Sequence, residues 1–159
     1  MTRLEELREI ALRGAARVFL VDGRCDPIAI LVWPDRMGAV KIVCASPETK
    51  DRSAEALRKL VQETGVAAVA IVLEVWLTNL RPGDGASLLR IDREGVAAQP
   101  SRSEQVHVLI ESATQQEIWA AEITRDSAGN GNLGPFVRKN EKVVGRFSGF
   151  FPRDQQAVM

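Results

Sequence analysis

With one histidine and two cysteines in 159 residues, this chain has few parts from which a reactive site can be built. His107 lies between Val106 and Val108, so any histidine-dependent acid–base or nucleophilic site has to use a group on an apolar-rich strand. Cys25 and Cys44 are formal nucleophiles for it. They lack metal-ligand spacing and sit on separate segments, which points to reduced thiols, a cytoplasmic location and too few soft ligands for zinc. Glu74 interrupts the apolar run from Val66 to Leu77 and shares a strand face with Val72 and Trp76. A desolvated carboxylate there is a candidate acid or base, and the structural alternative is a carboxylate turned outward or paired with an arginine. Gly129-Asn130-Gly131-Asn132-Leu133-Gly134 spells G-x-G-x-x-G, which cradles a pyrophosphate only where a helix N-terminus follows. Pro135-Phe136-Val137 follows instead, so a glycine-rich hairpin tip is expected and no cofactor.

The order helix, three strands, helix, strand resembles the core of the restriction-endonuclease-like nucleases, in which a Pro-Asp and an acid-x-Lys on the next strand hold the metal. Here Pro34-Asp35 is followed by Ala39-Val40-Lys41, with alanine where that family has a carboxylate. The resemblance implies a metal-assisted hydrolase or nuclease with Asp22, Asp35, Lys41 and Glu74 as its catalytic set. Magnesium needs several hard oxygen ligands, so Asp22, Asp35 and Glu74 would have to converge. In the C-terminal third, Arg125, Arg138, Lys139, Lys142, Arg146 and Arg153 alternate with Phe136, Phe147, Phe150 and Phe151. Basic groups beside aromatics suit single-stranded nucleic acid, bound through Arg138, Lys139, Lys142 and Arg146. The alternative is that these phenylalanines close the core while the arginines stay solvated.

Bulk composition places limits on all of this. Hydrophobic residues make up 45% and charged residues 26%, the balance of an ordinary globular protein rather than a disordered one. Lys plus Arg and Asp plus Glu are 21 each, so no overall field attracts polyanions or acidic membranes. The apolar run ending at Leu77 falls well short of the ~20 residues that span a bilayer. Met1-Thr2-Arg3-Leu4-Glu5-Glu6 has no continuous apolar core of a secretory signal.

The elements that must position these groups follow from periodicity. Thr2-Arg3-Leu4-Glu5 is a capping box, and Leu4, Leu7, Ile10 and Ala11 recur at helical spacing until Gly14. Arg17–Val21, Ile28–Trp33 and Ala39–Cys44 are expected as strands, with a second helix from Asp51 to Thr64 stopped at Gly65. Val66–Leu77 after it forms a β-α-β crossover, which favours parallel strands. Residues 78–104 are expected as a long surface excursion, Gln105–Glu111 and Glu117–Arg125 as a hairpin, and the tail from about 153 as frayed. Together these predict one α+β domain over 1–159, in the order α-β-β-β-α-β-β-β. Its mixed, largely antiparallel sheet has about six strands, with both helices packed on one face.

Because convergent polar groups are scarce, a non-catalytic binding or assembly module is expected, with a second copy or another protein as partner. Trp33, Trp119, Phe150 and Phe151 are its expected exposed apolar residues.

Overall fold

The computed structural model describes residues 2–78, 93, 102–140 and 147–151. Helix α1 (Arg3–Asp22) opens on the expected capping box, in which the Thr2 Oγ1 accepts the Glu5 N–H and the Glu5 carboxylate accepts the Thr2 N–H. It does not stop at Gly14. Leu7, Ala11, Ala15 and Phe19 continue one buried stripe at fourfold spacing, and the left-handed stop comes at Gly23, with φ 70°. The expected strand at Arg17–Val21 is thus the last turn of α1: packing of Phe19 outweighs the β-propensity of Val18 and Val21 and the ~1 kcal/mol cost of a mid-helix glycine.

Strands β1 (Ile28–Val32) and β2 (Met37–Lys41) form a hairpin, and α2 (Pro47–Thr64) follows. Helix α2 starts earlier than expected because Ser46 and Thr49 make a second capping box with Pro47 in the first turn, and it ends at Gly65 with φ 72°. Strands β3 (Ala68–Thr78), β4 (Arg102–Ser112), β5 (Gln116–Arg125), β6 (Gly131–Leu133) and β7 (Val137–Lys139) complete the described sheet. Its order is β2-β1-β3-β4-β5-β6, with β7 also paired to β5. This is an α+β architecture with an open antiparallel sheet.

Every pairing among the described residues is antiparallel. The crossover through α2 does join strands of the same direction, since β2 and β3 both run opposite to β1, but β1 lies between them. The tight hairpin occupies one edge of β1 and leaves only the other for β3, so no parallel ladder forms. The nuclease resemblance rested on the order helix, three strands, helix, strand, and with Arg17–Val21 inside α1 the order is helix, two strands, helix, strand.

The helices lie on opposite faces rather than on one. Ala68, Ala70 and Val72 of β3 meet the α1 stripe, whereas Val69 and Ile71 join Leu57 and Val61 of α2. A strand that is apolar at successive positions needs cover on both sides. The α2 side is completed by Phe147, Phe150 and Phe151, with Phe150 only 1% exposed. A buried Glu111 on β4 accepts the Gly149 N–H at 3.0 Å and the Phe151 N–H at 3.4 Å, and Arg58 donates to the Ser148 carbonyl at 3.2 Å. Thus Phe150 and Phe151 are core, not surface. Trp33 and Trp119 are half-buried, one under the Arg36 guanidinium at 4.4 Å and the other donating its indole N–H to Glu117.

Among the described residues no helix is long and apolar enough to cross a membrane. The segments expected at 78–104 and in the tail from 153 fall largely outside the described residues.

Candidate functional site

Helix α1 runs along the sheet over β3 and β4 and also packs against β1, whose Val32 belongs to the same core, while the same face of the edge strand β2 has no helix above it. At 100° per residue, Ile10, Gly14, Val18 and Val21 fall within an arc of about 80° beside the buried stripe. That arc looks over β1 rather than down into the core. Ile10, Val18 and Val21 are 41%, 44% and 76% exposed, and Leu20 on the outer surface of the same helix is 85% exposed. Between helix and strand lies a groove of about 170 Å³ lined by Ile10, Gly14, Val18, Cys25, Ile28 and Ile30. Its lining is apolar except at one end, where Asp26 joins it.

Cys25 forms the floor. Its thiol donates to the Ala15 carbonyl at 3.3 Å and its N–H donates to the Glu74 carboxylate at 2.5 Å. Burial, then the negative charges of Glu74, Asp26 and Asp22, push the thiol pKa up to about 11. It therefore stays protonated and is a packing group, not a nucleophile.

The proposed catalytic set does not gather. Asp22 and Glu74 lie near Cys25 at one end of the sheet. Asp35 sits in the β1–β2 turn at the other end, beyond the Val32–Ala68 pair. Glu74 is six residues along β3 from Ala68, about 20 Å at the rise of a strand, far beyond what ligand bonds near 2.0 Å can bridge. Lys41 pairs with Ile28 on the outer strand β2. No group of three or more His, Cys, Asp or Glu among the described residues is placed to hold a metal ion.

His107 faces the α2 side, opposite Val106 and Val108, with its Nε2 2.9 Å from the Gln105 Oε1. Cys25 is on the other face, and Cys44 follows β2, which is three strands and thus about 14 Å away laterally. Neither thiol meets the imidazole. Arg138 and Lys139 are neighbours on β7 and so point to opposite faces, Arg138 lying close enough to Glu117 to act on its charge. They cannot make one patch, and Lys142 and Arg146 lie outside the described residues. The glycine-rich segment is the β5–β6 turn, in which the Asp126 carboxylate accepts the Ala128 and Asn130 N–H groups.

A larger concavity of about 370 Å³, lined by Trp76, Glu104, Glu122 and Arg125, is polar. Two of its charges are directed at each other: Arg125 Nε and Nη2 bind the two Glu104 oxygens at 3.0 and 2.8 Å. The α1–β1 groove, by contrast, presents apolar surface without internal polar pairing. Sequence reasoning missed it because Val18, Leu20 and Val21 were assigned to a strand and Gly14 to a helix stop. The signal that could have found it was a set of apolar residues beyond the Leu7–Phe19 stripe on the same helix. Comparison of the chain with family models, curated proteins and solved structures returns no match.

Proposed function

We propose that this protein is a non-catalytic, self-associating assembly module whose contact face is the exposed flank of α1 with the neighbouring edge strand β2. The observation that carries this reading is the exposed flank of Ile10, Val18 and Val21 on a helix whose adjoining stripe is fully buried. Surface helices normally place charged residues there, and contiguous exposed apolar surface is characteristic of interaction sites. Twenty helical residues extend about 30 Å and the five-residue strands beside them about 17 Å, so the helix flank with β1 and β2 spans roughly 470 Å² in projection. A stable pair buries about 800 Å² of accessible surface per partner, and side-chain relief raises accessible area above the projection.

The test is size-exclusion chromatography with light scattering from about 1 to 200 μM, repeated on Val18→Glu/Val21→Glu. The expected result is a dimer in the native chain and a monomer in the variant, with the same circular dichroism spectrum, since both side chains are exposed. A native chain that is monomeric across the range rules this function out.

A further inference from the structure

We infer that Asn130-Gly131 is a site of spontaneous covalent modification, at which deamidation of Asn130 unseats β6 and loosens the last turn of α1. Solvent base removes the Gly131 amide proton, and the nitrogen attacks the Asn130 Cγ. The N–Cγ bond forms, the Cγ–Nδ2 bond breaks, and ammonia leaves with the proton returned by the base. Water then opens the five-membered imide. Addition at Cγ breaks the new N–Cγ bond and gives aspartate. Addition at the Asn130 main-chain carbonyl breaks that carbon's bond to the Gly131 nitrogen and gives isoaspartate, whose main chain runs through Cβ. In sum an amide and a water become an acid and ammonia, with no change of oxidation state.

Packing makes the pair labile. A Cβ at 131 would meet the Phe19 Cζ at 3.0 Å and the Arg125 Nη1 at 3.2 Å, so this position is held to glycine, the residue that least hinders attack by its own nitrogen. That nitrogen is also free of the ladder. Antiparallel partners alternate between hydrogen-bonded and non-hydrogen-bonded pairs. The Asp126 N–H donates to the Asn130 carbonyl, so Arg125–Gly131, one step along, is of the second kind, and the Gly131 N–H points to the outer edge of β6. The Gly134 N–H, which donates to the Glu122 carbonyl, keeps the same phase. Strand β6 ends the strand order, and no described strand lies beyond it. Asn130 is exposed, and among the described residues its side-chain amide is tethered by one bond, from Nδ2 to the Asp126 Oδ2 at 3.3 Å.

Conversion strikes at what holds β6. The Asp126 carboxylate accepts the Asn130 N–H at 2.9 Å and the Ala128 N–H at 3.0 Å, and these bonds, that from Asn130 foremost, hold its pKa below the ordinary 3.8. It is therefore charged at neutral pH. A carboxylate at 130 sets a second negative charge where the Nδ2 donor stood. Isoaspartate also adds a main-chain atom between the turn and β6, a strand of three residues. Gly131 and Leu133 then lose their places against Phe19 and the α1-side core. Phe19, 2% exposed, is the last buried residue of α1, so its turn loosens with them.

The native full chain is held at pH 8 beside the same chain in urea, and both are followed by peptide mass mapping with enzymatic methylation of isoaspartate. The expected result is conversion of Asn130 in the folded chain at a rate within about tenfold of that in urea, with isoaspartate among the products. The exposed Asn132, followed by the bulkier Leu133, is expected to stay intact over the same period. The converted chain, separated by anion exchange, is expected to exchange the backbone hydrogens of residues 18–22 at least tenfold faster than unconverted chain of the same age. Asn130→Gln, which cannot close the five-membered ring, keeps the slow exchange throughout. An Asn130 that stays intact in the folded chain while the urea sample converts overturns the site. Unchanged exchange in the converted chain overturns its coupling to α1.

Discussion

Arg8 and Glu117 join α1 to β5, and removing one partner should cost far more than removing both. Arg8 Nε and Nη2 donate to the two Glu117 oxygens at 2.7 and 2.5 Å, and the Trp119 indole donates to the same carboxylate at 2.9 Å. The Glu117 side chain is 1% exposed and that of Arg8 27%. Arg8→Met leaves a carboxylate buried with one hydrogen bond, which costs about 3–5 kcal/mol. For a chain of this size that is roughly 10 °C in Tm. Glu117→Gln keeps an acceptor for Trp119 and one for Arg8, so about 1.5–3 kcal/mol is expected from the weakened charged hydrogen bonds. Arg8→Met/Glu117→Leu should recover most of the Arg8→Met loss, because no buried charge remains, and the remaining cost of about 1–3 kcal/mol comes from the Trp119 indole N–H left without its acceptor.

The same pair sets a pH dependence. Burial raises the Glu117 pKa, but the hydrogen bonds from Arg8 and Trp119 and the charges of Arg8 and Arg138 outweigh it, and the net position is below the ordinary 4.5. The unfolded chain therefore binds the proton first as pH falls. The contribution is complete above about pH 4.5 and is lost as pH drops through the folded value. Urea unfolding at pH 7 and across pH 5 to 2.5, with midpoints and slopes compared, measures both effects. Equal losses below about 1 kcal/mol for the two single variants, or an acid limb unchanged in Glu117→Gln, would refute the reasoning.

Two further outcomes are expected. Cys44, which is half-buried, should react with an aromatic disulfide reagent at pH 8 in the native protein, whereas Cys25, 4% exposed with its thiol pKa near 11, should react only on unfolding; equal native rates contradict this. Phe150→Ala should lower stability by about 3–5 kcal/mol, as for a fully buried phenylalanine, and a loss below 1 kcal/mol would show that Phe147–Phe151 does not seal the α2 side.

Local chemistry made much of the fold legible. The Thr2–Glu5 box, the Gly65 stop, the all-apolar strand at Ile28 and the hairpin of β4 and β5 depend on neighbours a few residues apart, so the sequence itself determined them. The extent of α1 was not local. Gly14 signals a stop, and Val18 and Val21 favour a strand, but Phe19 gains its place only by packing against strands more than eighty residues later, including Val106 and Val108. Helix placement was decided in the same way. An amphipathic stripe says that a helix has a buried side, but not which sheet face receives it, and here the alternation along β3 sends α1 to one face and α2 to the other. The candidate site followed from that choice. Ile10, Gly14, Val18 and Val21 became a surface only when the sheet claimed the adjoining stripe and left the edge strand β2 open. Asp35 and Glu74 were separated because strand register, a long-range property, placed them at opposite ends of the sheet.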